Sequence, residues 1–195
     1  RNLLGQVNRE FRNSLRSAYE QNLTQNRSFF QCVELVCEAL SGFERKYAML
    51  KGAVLCARYP QGYRTSNDID LLLLPEHVTA VGKALKAAGF QQGNIRNDRF
   101  IPAARREIIE SRMTRGETVP YVKEVGLPGM RFLEVDINFS LDYKNSRDGI
   151  LGSLLDRVQT TVVNRLTVPT LEPSDFFIHL CSHLYKEAST LPWVR

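Results

Sequence analysis

Zinc-type spacing is missing from this 195-residue chain: its four cysteines, Cys32, Cys37, Cys56 and Cys181, form no CxxC pair. Cys32 and Cys37 fall in an apolar helical pattern, so all four read as small buried residues of a reducing compartment. Long apolar runs are also missing. None approaches the roughly 18 residues of a membrane span, and the N-terminus, which opens on Arg1, carries no apolar stretch of the signal-peptide kind. A cytoplasmic protein with no membrane partner is therefore expected. No repeat and no low-complexity segment occurs. Neither sign of charge dominates, because 26 Lys and Arg face 21 Asp and Glu for a formal net charge of +5. That modest excess suits an anionic partner such as a nucleotide and does not by itself imply nucleic acid. What remains is ordinary: 43% hydrophobic and 24% charged residues, in a length that fits one domain or one domain with a helical appendage.

Apolar spacing divides the chain. Val7, Phe11, Leu15 and Tyr19 mark a surface helix over 6–22, and Phe29 to Phe43 reads as a second, more strongly amphipathic helix. Tyr47 to Leu50 is a short strand, broken at Gly52. Ala53 to Tyr59 is a short helix that Pro60 ends. A turn-rich loop over 60–67 then leads into a strand from Asp68 to Leu74. Pro75-Glu76 opens the next helix and Gly89 stops it. The stretch 91–130 is the least legible, with a basic helix from Pro102 to Met113 and a strand from Thr118 to Val125. Leu133, Val135, Ile137 and Phe139 then alternate with Glu134, Asp136, Asn138 and Ser140 in a clear strand. Ser174 or Asp175 is placed to cap a last helix from Phe176 to about Ala188. The order of elements predicts an α/β (α+β) fold with a small mixed sheet.

Asp68-Ile69-Asp70 is the most informative feature. Residues two apart on a strand share a face, so the two carboxylates project together while Ile69 turns into the core. Such a pair repels and loses solvation when partly buried, which a cation relieves. Leu71 to Leu74 carry the strand onward into a buried sheet. Gly52, between strand and helix, lets backbone N–H groups approach a phosphate, with Lys51 before it. Asp136 adds a carboxylate on a later strand, and Glu134 shares its face as the alternative. Three carboxylates beside a phosphate-cradling turn suit phosphoryl or nucleotidyl transfer with two metal ions about 3.5–4 Å apart. Magnesium favours sparse carboxylate sites, since water and substrate phosphates complete its ligands.

These residues resemble the nucleotidyltransferase superfamily of the DNA polymerase β-like fold, and more narrowly its bacterial uncharacterised nucleotidyltransferase family. The likeness rests on Lys51-Gly52-Ala53, Arg64, Asp68-Ile-Asp70-Leu-Leu, Gly89-Phe90, Val135-Asp136-Ile137 and Leu180-Cys-Ser-His183-Leu, spread over roughly residues 30 to 188. It implies N-terminal helices over 1–45 packing on a nucleotidyltransferase core over 46–145, then a C-terminal helical segment over 146–195. It further implies Asp68, Asp70 and Asp136 as catalytic, metal-holding acids, with Asp136 near the acceptor as general base. Lys51, Gly52 and Arg64 would line the triphosphate. The implied activity is Mg²⁺- or Mn²⁺-dependent transfer of NMP from an NTP, ATP first among them, to a hydroxyl, phosphate or amine. Small-molecule, protein and RNA acceptors all stay open. Rival readings are a non-catalytic nucleotide-binding module on the same fold and a two-metal phosphohydrolase. The chain departs from the pattern at Ala53, where serine or glycine is common, and at Asn138, where histidine often follows the third acid.

The other polar residues have plainer readings. His179 and His183 are spaced to face one metal, but no third ligand is spaced nearby, and His183 reads as a core or cleft residue touching substrate. Arg105, Arg106, Arg112 and Arg115 read as a solvated helix face, with an acceptor-anion patch as the alternative. Asp142, Asp148 and Asp156 read as loop and helix-start acids.

Overall fold

From Arg9 to Ala39 the chain contains neither glycine nor proline, and nothing interrupts helical hydrogen bonding. The computed structural model, which describes residues 6–141 and 149–190, accordingly has a single 31-residue helix, α1 (Arg9–Ala39), where two were expected. Asn8 caps it by accepting from the Phe11 N–H at 2.8 Å. Its second half buries Phe29, Cys32, Val33 and Val36, while Phe11, Leu15 and Tyr19 on the first half stay exposed.

The sheet is built from β1 (Tyr47–Met49), β2 (Asp68–Leu73), β3 (Gln91–Arg96), β4 (Arg99–Pro102), β5 (Tyr121–Leu127) and β6 (Met130–Asn138). Its order is β1-β2-β6-β5-β3-β4. The β2–β6 pair is parallel and the other neighbours are antiparallel. Helices α2 (Lys51–Arg58), α3 (Val78–Ala87), α4 (Arg105–Thr114), α5 (Ile150–Asp156) and α6 (Pro173–Thr190) surround it, with a hairpin of β7 (Gln159–Val163) and β8 (Leu166–Thr170). The expected mixed α/β class is the observed one.

Strand alternation separates two surfaces of β2. Ile69, Leu71 and Leu73 join Val135, Ile137, Phe29 and Val81 in the main core. Leu72 faces the other way, into a smaller cluster with Leu151, Leu155 and Leu171. Asp68 and Asp70 share that second face. The sheet therefore carries its acids on the side away from α1 and the main core, with Leu72 in the floor beside them.

Several local expectations need correction. The helix expected from Pro75 begins with a 3-10 turn, Pro75–His77, before α3. The last helix starts at Pro173, and Glu172, not Ser174 or Asp175, caps it by accepting from the Ser174 N–H at 2.9 Å. The β3–β4 and β7–β8 hairpins were not foreseen. Cys32 and Cys56 are buried as expected, but Cys37 is half-buried and Cys181 exposed. Among the described residues no helix is long and apolar enough to cross a membrane.

Candidate active site

The β2–β6 register sets Asp70 directly beside Asp136 and Asp68 beside Glu134. Ile69 and Val135, their in-register neighbours, are fully buried on the opposite face, which fixes the acids on this one. Asp68, Asp70 and Asp136 all line a cavity of about 500 Å³, together with Lys51, Gly52 and Arg64. Two strands distant in sequence and one strand-to-helix turn thus meet at one cavity.

Asp70 is only 4% exposed. Its Oδ1 accepts from Lys51 Nζ at 3.1 Å and from Asn138 Nδ2 at 3.4 Å, whereas Oδ2 is buried with no hydrogen-bond partner among the described residues. Burial raises its pKa, Lys51 opposes that, and the Asp68 charge adds to it. Asp136 is pushed up to about 7, first by burial and then by the charges of Asp70, Asp68, Glu134 and Glu117. Glu134 is also raised, by burial and by Asp68. The acids destabilise one another's charge. That is the electrostatic condition a divalent cation relieves.

Gly52 sits inside the first turn of α2. A Cβ there would collide with Ser66 Oγ and come within 2.8 Å of Ser66 Cβ, so only glycine allows the 60–67 loop this close. Ser66 Oγ in turn donates to Asp68 Oδ1 at 2.7 Å. The hydroxyl bordering the turn is thus supplied by Ser66, while Ala53, where a serine is common, is fully buried. Lys51 holds a φ of +31°, in the left-handed region unfavourable to a side chain. Strain of this kind persists where surrounding structure enforces it, and here the Lys51 ammonium is drawn onto Asp70.

Arg64 lies in the turn-rich 60–67 loop, which is tied to α1. Asn26 Oδ1 accepts from the Gly62 N–H at 2.8 Å, Asn26 Nδ2 donates to the Arg64 carbonyl at 2.6 Å, and Asn22 Nδ2 donates to the Gly62 carbonyl at 3.1 Å. The Arg64 guanidinium lies 6.0 Å from the Tyr59 ring centroid, and its Nε is buried with no acceptor among the described residues. Asn26 is a positioning residue that sequence reasoning missed. Asn26→Ala leaves two loop groups without partners, so a stability loss of about 2 kcal/mol is expected in urea unfolding. Unchanged stability would detach the loop from α1.

Not every other candidate gathers here. Glu134 does not line the cavity, whereas Asp136 and Glu117 do. His179, Ser182 and His183 of α6 line it too, the two imidazoles stacked with centroids 6.5 Å apart. Arg105, Arg106 and Arg112 are exposed on α4, Arg112 donating to Thr79 Oγ1 at 2.8 Å. Asp156 pairs with Lys46 at 2.8 Å on the surface. Asp142 and Asp148 lie outside the described residues.

Among the described residues no three His, Cys, Asp or Glu side chains close into a preformed metal cage. An open site of adjacent carboxylates is what a hydrated magnesium requires, because it keeps water and substrate oxygens as ligands. The orphaned Asp70 Oδ2 and the mutually destabilised acids fit such an ion. A search of curated proteins finds no match. A family model described as uncharacterised nucleotidyltransferase matches residues 1–194, so α1 and α6 fall within it along with the sheet. With that match running almost end to end, the chain belongs to the uncharacterised nucleotidyltransferase family, and its general reaction is nucleotidyl transfer.

Proposed function

We propose that the protein uses Mg²⁺ or Mn²⁺ to transfer a nucleoside monophosphate from an NTP, ATP in first place, to an acceptor hydroxyl. The observation that carries this reading is the juxtaposition of Asp70 and Asp136 on neighbouring parallel strands, with Asp70 Oδ2 buried and unpartnered, beside the Gly52 turn. Asp68 and Asp70 would hold the metal, with Asp136 as third acid. Bound there, the ion neutralises the triphosphate and lowers the cost of charge at the attacking and leaving oxygens.

The chain's own groups account for the rest. The glycine at position 52 leaves room for a phosphate against the first turn of α2, whose N-terminus favours anions. Lys51 exchanges its bond to Asp70 for the triphosphate. Arg64, with an unpartnered Nε, binds the β- and γ-phosphates. The acceptor oxygen attacks the α-phosphorus, its proton passes to the Asp136 carboxylate, and pyrophosphate departs with the electron pair of the broken P–O bond. Asp136 lines the cavity beside Asp70, and a carboxylate placed there can accept the proton of an acceptor hydroxyl bound in the cavity.

Turnover of ATP with Mg²⁺, followed as pyrophosphate release with α-phosphate label retained on an acceptor, tests the reading. Release of orthophosphate or free nucleotide alone would replace it with hydrolysis, and binding without turnover with a nucleotide-binding module. Arg64→Ala is expected to weaken ATP binding roughly tenfold or more while changing AMP binding little, since the clamp acts on phosphates AMP lacks. Calorimetric titration of both ligands decides it. Equal losses would remove Arg64 from the triphosphate site.

A further inference from the structure

A second cavity, of about 530 Å³, opens beside the first and shares Glu117 and Asp136 with it. Asp136 therefore stands where the two spaces meet. The new space is bounded by α4 and by the 116–120 segment, which runs along β6: the Thr118 N–H donates to the Ile137 carbonyl at 2.9 Å. Its charge differs from that of the helix which borders it. The arginines at 105, 106 and 112 do not line it, and α4 turns Glu107, Glu110 and Thr114 into it.

Four carboxylates, Glu107, Glu110, Glu117 and Asp136, thus face one guanidinium, Arg115, which stands 3.9 Å from Glu117. Glu107 is held by Asn94 Nδ2 at 3.1 Å. A separate observation concerns Thr118, only 6% exposed and in the lining, whose hydroxyl oxygen is buried with no hydrogen-bond partner among the described residues. The lining sets four carboxylates against one cation, and its Asn94, Ser111 and Thr114 donors are already engaged by protein oxygens. An ammonium group carries three donors and no acceptor, and complements such a wall. Phosphate groups and RNA backbones are repelled by it.

We infer that this cavity receives the acceptor, and that the acceptor is a small molecule with a hydroxyl and at least two ammonium groups. The inference rests on the nucleotidyl-transfer reading of the neighbouring site. Glu107, Glu110 and Thr118 hold the ammonium groups and leave the hydroxyl at Asp136. Its oxygen bonds to the α-phosphorus, its proton goes to Asp136, and the α-phosphorus–oxygen bond to pyrophosphate breaks. The alternative reading of the arginine-rich helix as an anion patch does not describe the face that borders the site.

Spermine is the probe, titrated calorimetrically into the nucleotide-free chain, with glycerol 3-phosphate as the anionic comparison. Wild-type protein is expected to bind spermine and not glycerol 3-phosphate. The Glu107→Gln/Glu110→Gln pair should weaken spermine at least tenfold, and Glu10→Gln/Glu20→Gln on the exposed half of α1 should leave it unchanged. Equal weakening by both pairs, no weakening, or preference for the anion would overturn the inference. MgATP is titrated into wild type in parallel. ATP bound and spermine ignored refutes the cationic acceptor alone, whereas failure to bind any of the four NTPs with Mg²⁺ overturns the metal-dependent nucleotidyl-transfer reading of this site together with the acceptor role.

Discussion

Asparagine at position 70 or 136 is expected to lower nucleotidyl transfer by at least about 1000-fold, beyond the ~10–100-fold typical of changes one layer out from a metal. Each substitution keeps the shape and removes one charge from a pair that stands side by side in the β2–β6 register. Asp70→Asn also deprives the Lys51 ammonium of its ion-pair partner at 3.1 Å. Asp68→Asn should act in the same direction, because Asp68 lines the same cavity. Asp136→Asn should keep most ATP affinity, since Lys51, Gly52 and Arg64 are untouched. Glu134→Gln serves as the contrast. It changes a carboxylate outside the cavity lining, two residues from Asp136 and thus about 7 Å away along the strand. Its pyrophosphate release at saturating ATP and Mg²⁺ should stay within about tenfold of wild type. A dead Glu134→Gln beside an active Asp136→Asn would exchange their roles.

That contrast depends on a feature the sequence makes legible and one it does not. Alternation of Leu133, Val135 and Ile137 with Glu134, Asp136 and Asn138 announces a strand with one buried face, and the apolar run after Asp70 announces another. Both are central strands, where burial imposes its pattern on composition. Which residues of β2 and β6 stand side by side is a matter of tertiary register, and no local signal encodes it. The β3–β4 hairpin escaped for the opposite reason. Its strands are largely exposed, and its turn residues Asn97 and Asp98 take φ of +50° and +56° without a glycine to mark the turn. The β7–β8 hairpin turns at Asn164 in the same way, with φ of +58°.

The largest miss near the site was Asn26. An asparagine inside a polar helix half reads as surface, yet it is 3% exposed because its partners, Gly62 and Arg64, lie in a loop far along the chain. The same hydrogen bonds explain why a loop rich in glycine, proline and asparagine holds a defined shape. Ser66 was hidden for a related reason: it matters through contact with Gly52, which sequence distance conceals.

The acids should also set the protein's response to pH in the absence of divalent metal. The Asp136 carboxyl is raised from the ordinary carboxylate range to about 7, with burial the largest cause, and Asp70 and Glu134 are raised as well. A raised folded-state pKa means that the native protein holds its proton more tightly than the unfolded chain does. Its stabilising effect is complete below about pH 4, where both states are protonated, and is lost as pH rises to about 7. Above that the carboxylate is charged in both states and the loss levels off. Metal-free protein should therefore lose on the order of a few kcal/mol between pH 4 and pH 8 through this group. Asp136→Asn removes the charge at every pH, so it should be more stable than wild type at pH 8 by a similar amount and nearly equal to it at pH 4. Urea unfolding of both proteins in chelator, at several pH values across that window, measures the difference. A constant gap across the range would mean that Asp136 keeps an ordinary carboxylate pKa in the folded protein, and the electrostatic case for a cation at these acids would lose its main support.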